Sequence, residues 1–135
     1  MIVSAKGRYA LRVMIALAAR SGGDSVPLKE LAAKEEIPYK FLESIMTELT
    51  KAGLVESARG KNGGYRLTRA PKDCTAADIL RVTETSFAAA ACTNEDADCP
   101  RAEKCPTLPM WRALDDAVDE LLKKYTLEDL AQSAN

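Results

Sequence analysis

Glu36-Ile37-Pro38-Tyr39-Lys40-Phe41-Leu42-Glu43-Ser44-Ile45-Met46 contains a turn and the first half of an amphipathic helix, and its reading decides the fold. From Tyr39 to Ala52 the apolar positions Leu42, Ile45, Met46 and Leu49 recur on one face, and Gly53 closes the segment. Just upstream, Leu28 to Lys34 reads as a short helix that begins after Pro27. Two helices joined by a turn of a few residues predict a helix-turn-helix. Immediately downstream, Leu54-Val55-Glu56-Ser57 and Tyr65-Arg66-Leu67-Thr68 flank the basic, glycine-rich Arg59-Gly60-Lys61-Asn62-Gly63-Gly64, which predicts a β-hairpin. That order is the order of a winged helix. Before it, Ser4 is a suitable N-cap for a first helix carrying Ala10, Val13, Met14, Leu17 and Ala18 inward, stopped by Ser21-Gly22-Gly23-Asp24.

Beyond Pro71 the pattern changes. Thr75 to Thr85 predicts a fourth helix with Ala76, Ile79 and Leu80 inward, and residues 86–107 then form a loop that needs a reason to be ordered. Trp111, Leu114, Val118, Leu121 and Tyr125 follow at spacings of three and four, the stripe of a helix that packs on another helix. Thr126 with Asp129 reads as a capping box for a short terminal helix. The expected fold is mainly α with a small β-hairpin wing: a winged helix-turn-helix plus a long C-terminal dimerisation helix. Three segments result: a DNA-binding unit at 1–72, a linking helix and cysteine loop at 73–107, and a dimerisation helix with its tail at 108–135.

Composition narrows the function. A chain of 135 residues, 47% apolar and 29% charged, is an ordinary globular domain and too short for a large multi-site enzyme. Its formal charge of -1 conceals two halves. Residues 1–72 carry 13 Lys and Arg against 7 Asp and Glu, a balance of +6, whereas residues 73–135 carry 6 against 13, a balance of -7. The absence of His removes Ser-His and Cys-His nucleophiles and most catalytic zinc sites, so an enzyme is not expected. Arg12 interrupts the only apolar run near the amino terminus that resembles a signal sequence, and no stretch approaches a membrane span. A cytoplasmic protein is expected.

Phosphates demand cations, and bases demand side chains at the groove edge. Tyr39, Lys40, Glu43 and Ser44 lie at the start of the third helix on its polar face, where base contacts are expected, with Glu43 suited to the cytosine amine. Arg59 and Lys61 at the wing tip are candidates for the minor groove or a phosphate, and Lys6, Arg8 and Arg12 for phosphates. Singly, each is an ordinary solvated residue and the hairpin loop an ordinary turn. Together, within a half of charge +6, they point to double-stranded DNA.

Cys92, Cys99 and Cys105 fall within fourteen positions, a crowding that reads as metal binding or redox chemistry in a reducing compartment. Cys74, alone at the start of the fourth helix, reads as a small core residue. Ser4-Ala5-Lys6-Gly7-Arg8-Tyr9-Ala10, Tyr39-Lys40-Phe41-Leu42-Glu43, Arg59-Gly60 with Gly63-Gly64-Tyr65, and the three cysteines ahead of Leu108-Pro109-Met110-Trp111-Arg112 together resemble the IscR-like, Rrf-type transcriptional regulators over almost the whole chain. The resemblance implies a homodimer in which Cys92, Cys99 and Cys105 hold an iron-sulfur cluster, 2Fe-2S first and 4Fe-4S as the alternative, that controls binding to operator DNA. A dimer would present two recognition helices to half-sites about 34 Å apart, hence a near-palindromic operator.

Three thiolates anchor a cluster once a fourth donor completes it. Glu95, Asp96, Asp98 and Glu103 around the triad disfavour bare thiolates by like-charge repulsion, a penalty that bound iron reverses. The chain departs from the family at the fourth ligand. Leu108 stands where relatives carry a His three positions after the last Cys, and Arg8 where others carry an acidic residue. Asp96, Asp98, Glu103, a partner residue, an exogenous thiol and water remain as candidates. Zinc and disulfide chemistry are the alternatives for the triad, and the rival functions are a small cluster-carrier or electron-transfer protein and a cluster-free regulator that answers to a metabolic enzyme.

Overall fold

The computed structural model describes residues 2–20, 23–60 and 63–133; Ser21 and Gly22 of the first stop and Lys61 of the wing tip lie outside the described residues. Helix α1 spans Ala5–Ala18, and Ser4 caps it, its hydroxyl accepting from the Gly7 amide at 3.0 Å. The helical period then buries Ala10, Val13, Met14 and Leu17. Helices α2 (Leu28–Glu35) and α3 (Tyr39–Lys51) follow. Between them Glu36 ends α2 in the left-handed region at φ 54°, which costs a non-glycine residue roughly 1 kcal/mol. The tight turn it makes sends Ile37 into the core with Leu31 and Leu42. On α3 the four expected residues Leu42, Ile45, Met46 and Leu49 are all fully buried.

Strands β1 (Val55–Ala58) and β2 (Gly64–Leu67) pair antiparallel, Val55 opposite Leu67 and Ala58 opposite Gly64. The first begins one residue later than expected because the Leu54 amide is spent on α3, donating to the Leu49 carbonyl at 3.0 Å. Val26, ahead of α2, exchanges two 2.9 Å backbone hydrogen bonds with Tyr65 and lies against β2 as a one-residue third strand. This fixes Gly64. At φ +150° a Cβ there would stand 2.2 Å from the Val26 carbonyl oxygen, so only glycine lets the wing close on the helix-turn-helix.

Helix α4 (Ala76–Thr83) starts at a full capping box between Thr75 and Asp78. The long α5 (Leu108–Lys124) and short α6 (Leu127–Ser133) complete the chain, with Thr126 and Asp129 capping α6 reciprocally at 3.1 Å. A Thr75–Thr126 bridge ties the two helix starts together: the Ala76 amide donates to the Tyr125 carbonyl at 2.8 Å, and the Leu127 amide to that of Cys74 at 2.9 Å. Leu127 has no exposed surface and belongs to the same core as Ala10, Val13 and Ile79. Residues of α4 and α6 thus share one apolar core with the 1–72 segment. Among the described residues no helix is long and apolar enough to cross a membrane. The architecture is that of a mainly α winged helix-turn-helix followed by a long helix.

The stripe expected on α5 divides. Val118 and Trp111 are half-buried, whereas Leu114, Leu121 and Tyr125 stay 44%, 53% and 48% exposed, with Met110 beside them at 53%. The side of α5 that faces α4 carries Val118 with Asp115, Asp119 and Leu122, which border a small gap beside Ala77 and Arg81 of α4, and Asp119 pairs with Arg81. Period alone located the helix, but not which half of its apolar surface this chain covers by itself.

Candidate nucleic-acid interface and cysteine loop

Because the apolar face of α3 is wholly buried, its opposite face has to be solvent-facing, and Tyr39, Lys40, Glu43, Ser44 and Thr47 are all exposed on it. The Ser44 hydroxyl donates to the Phe41 carbonyl at 2.8 Å and that of Thr47 to the Glu43 carbonyl at 2.9 Å. Both hydroxyl protons are therefore engaged within the helix, and each oxygen is left to accept. Glu43, Ser44 and Thr47 form an acceptor row, suited to the exocyclic amines of cytosine and adenine. Lys40 is the cation at its start.

The first helix divides its cations. Lys6 lies 3.0 Å from the Glu48 carboxylate on α3, and Arg12 holds both the carboxylate and the carbonyl of Glu35 while stacking at 5.5 Å over the Tyr9 ring. These two expected phosphate contacts are thus pins between helices: Lys6 joins α1 to α3, and Arg12 closes the carboxyl end of α2. Arg66 and Arg69 are likewise paired, with Glu56 and Asp78. Among the described residues, Arg8, Lys40 and Arg59 are exposed and belong to no ion pair. Placing the cations of α1, α3 and the wing unpaired leaves them open to phosphate.

Residues 84–107 form the cysteine loop, irregular except for two single 3-10 turns at Ala91–Thr93 and Ala102–Lys104. It is fastened to α5 where the Ala89 amide donates to the Asp115 carboxylate at 2.7 Å. Arg81 reaches from α4 to Asp119, which also holds Lys123 at 2.7 Å. The loop overhangs a cleft of 720 Å³ walled by Arg81, Glu95, Asp96, Asp115 and Asp116. Its acidity would repel a phosphate backbone.

All four cysteines are free, Cys74 buried, Cys99 exposed, and Cys92 and Cys105 half-buried. Burial, with the Asp78 charge behind it, pushes the Cys74 thiol up to about 11, which marks it as an inert core residue. Cys105 runs against the expected repulsion by carboxylates. Its sulfur lies 3.2 Å from the Thr107 hydroxyl at the start of α5, and that hydroxyl, then the Thr107 and Leu108 amides and the Arg101 charge, hold the thiol below its ordinary value. Local donors at a helix start outweigh carboxylates further along the loop. The donor set therefore has the chemistry for iron, but its placement does not fit one ion: among the described residues no three Cys, Asp or Glu side chains converge closely enough to hold a metal.

Two residues that carry the geometry escaped the sequence reading. Glu84 accepts from both the amide and the hydroxyl of Ser4, each at 2.6 Å, and Glu48 receives Lys6. Neither has a local signal, because their partners lie 80 and 42 positions away.

Residues 3–133 match the family described as Rrf2, iron-dependent transcriptional regulator. The chain is 35% identical over 130 residues to the HTH-type transcriptional regulator IscR of Vibrio atlanticus, which spans 96% of this chain and 75% of that protein. It is 38% identical over 131 residues to the HTH-type transcriptional regulator CymR of Bacillus subtilis, covering 97% and 90%. Among solved structures, CymR of B. subtilis, described as its global cysteine regulator, superposes with a TM-score of 0.81 over 100% of this chain and 99% of that one at 38% identity. T. potens IscR superposes with a TM-score of 0.80 at 34% identity, covering 100% and 89%.

Proposed function

This chain belongs to the Rrf2 family of transcriptional regulators, DNA-binding proteins and not enzymes, and on that premise we propose that it is a homodimeric regulator that reads a near-palindromic operator with α3 and the wing. The observation that carries this reading is the exposed acceptor row Glu43, Ser44 and Thr47, flanked by the unpaired cations Lys40, Arg8 and Arg59. Tyr39 joins the base-facing surface, and Lys61, two positions after Arg59 in the sequence, is proposed as a further phosphate contact. Lys6 acts first on Glu48 and only secondarily on phosphate. The uncovered apolar line Met110, Leu114, Leu121 and Tyr125 on and just beyond α5 supports a second copy as partner, since an exposed stripe of that length is unstable in water alone.

The cysteine loop is the sensory element of this proposal. Cys92, Cys99 and Cys105 are the ligands of an iron-sulfur cluster, 2Fe-2S ahead of 4Fe-4S, reporting iron, redox state or nitric oxide; the resemblance to IscR relatives and the free thiols support this. A cluster supplies a redox-sensitive tie between loop positions that lie apart here. A second reading is a cluster-free regulator that answers to a metabolic enzyme partner; it is favoured by the lack of a converged donor set among the described residues and by the likeness to CymR, described as a global cysteine regulator. Anaerobic purification and reconstitution, with an absorption spectrum and iron and sulfide assays, separates the two. The cluster reading expects a coloured protein that loses its iron in Cys92→Ser, Cys99→Ser and Cys105→Ser and keeps it in Cys74→Ser. A colourless, iron-free protein leaves the second reading.

A further inference from the structure

One route of polar contacts runs from the root of the cysteine loop to the recognition helix. Glu84 is the residue at which α4 ends and the loop begins. Its two carboxylate oxygens accept from Ser4, one from the amide and one from the hydroxyl, each at 2.6 Å. The same hydroxyl accepts from the Gly7 amide at 3.0 Å, so Ser4 caps α1 and grips Glu84 at once. A Cβ on Gly7 would stand 3.0 Å from a Glu84 carboxylate oxygen, and the carboxylate thus lies directly on the first turn of α1, where free amides and the helix dipole favour an anion. Burial raises the Glu84 carboxyl, but the two Ser4 bonds, Thr83 and the Lys6 ammonium together more than offset it and leave it below its ordinary value. Lys6, on that same turn, is paired at 3.0 Å with Glu48 of α3, whose second oxygen is buried without a partner. Ser4, Lys6 and Gly7 thus hold a carboxylate of α4 on one side and one of α3 on the other.

We propose that Glu84 is a positioning residue for operator recognition: its carboxylate fixes the first turn of α1, and through Lys6 and Glu48 it sets the orientation of α3. The inference rests on the reading that α3 contacts the operator. It assigns the geometry of this corner to specificity and not to bulk stability, because the contacts are partly exposed and surface pairs contribute little to folding. It also puts the first residue of the loop and the recognition helix on a shared set of contacts, so that a change in the loop reaches α3 through Glu84, the first turn of α1 and the Lys6–Glu48 pair.

The test uses the full chain and two duplexes: one selected by the wild-type protein from a random library and a scrambled one of equal composition. Fluorescence anisotropy is measured for Glu84→Ala, Glu84→Gln, Ser4→Ala, the double Ser4→Ala/Glu84→Ala and Glu43→Ala, with melting curves for each. Glu84→Ala is expected to weaken the selected duplex about tenfold, the worth of one charge-assisted hydrogen bond, while the scrambled duplex changes less than about twofold. Glu84→Gln, which keeps one accepting oxygen, should recover most of the loss even if Glu84→Ala folds poorly. The double variant should be no weaker than the worse single one, since residues in contact do not add. Unchanged discrimination in Glu84→Ala and Glu84→Gln, or additive losses, would overturn the proposal. Equal weakening of both duplexes would do so as well, as a purely structural role. Glu43→Ala keeps two failures apart: if it too leaves discrimination unchanged, the α3 reading falls and the proposal with it; if it alone abolishes discrimination, only the role of Glu84 falls.

Discussion

The Tyr9 ring on α1 meets the Phe41 ring on α3 edge to face, with centroids 5.6 Å apart and planes at 75°. Tyr9 also carries the Arg12 guanidinium over its face, and Arg12 ends on Glu35 of α2. Three helices of the DNA-binding unit are therefore registered at one aromatic contact. Phe41→Ala should lower stability by about 2–3 kcal/mol, less than for a fully enclosed ring because Phe41 is half-buried. Urea unfolding measures it, and a cycle with Tyr9→Ala should return a coupling of about 1 kcal/mol.

The wing depends on Gly64. With a Cβ 2.2 Å from the Val26 carbonyl, Gly64→Ala has to break the Val26–Tyr65 bridge or unpair β2. We expect a loss of about 2–3 kcal/mol, together with weaker operator binding as Arg59 leaves its place. Gly23→Ala, where nothing lies within 4 Å but φ is +70°, should cost only about 1 kcal/mol and leave binding unchanged.

The thiols should separate by pH. Alkylation follows the thiolate, so Cys105 should react at lower pH than an ordinary thiol of 9.0, while Cys74 stays protected in the folded protein. The raised thiol of Cys74 has a stability consequence with a definite sign. Its contribution is complete below 9.0, the value in the unfolded chain, and is lost as pH rises through about 11, where the buried thiolate forms. Denaturation measured across that window should show a loss of stability that Cys74→Ala lacks.

The uncovered side of α5 predicts the assembly. Leu121→Lys, at a position 53% exposed in the single chain, should leave the monomer's melting curve nearly unchanged and shift the mass in light scattering from dimer to monomer. Leu122→Lys on the side facing α4 should instead destabilise the chain itself. Equal masses for wild type and Leu121→Lys would sink the dimer face.

Local chemistry was legible in the sequence where one element contains its own explanation. Ser4, Thr75 and Thr126 each cap the helix they introduce, and the α3 face and the glycine-rich wing follow from spacing and turn residues alone. Partners across the fold were not legible. Lys6 and Arg12 read as free cations because a charge carries no record of the carboxylate that folding brings to it from 42 or 23 positions away. The α5 stripe shows the same limit: period locates apolar residues, whereas coverage depends on what else is packed. At Cys105 the carboxylates nearby in sequence do not set the sign of the shift; the donors at the start of α5 do, and their reach to the sulfur exists only in the folded chain.

The Thr75–Thr126 bridge has a mechanical meaning. Helix α5 is a rod about 25 Å long whose carboxyl end is anchored in the apolar core through Leu127, while its amino end abuts the cysteine loop. Because α5 is also held along its length, by Asp115 on the Ala89 amide and by Asp119 on Arg81, a push at its amino end carries α4 with it, and about 2 Å at Leu108 tilts a rod of that length by about 5°. In the proposed dimer, the crossing angle between two such rods is the quantity that small movements of the loop would adjust.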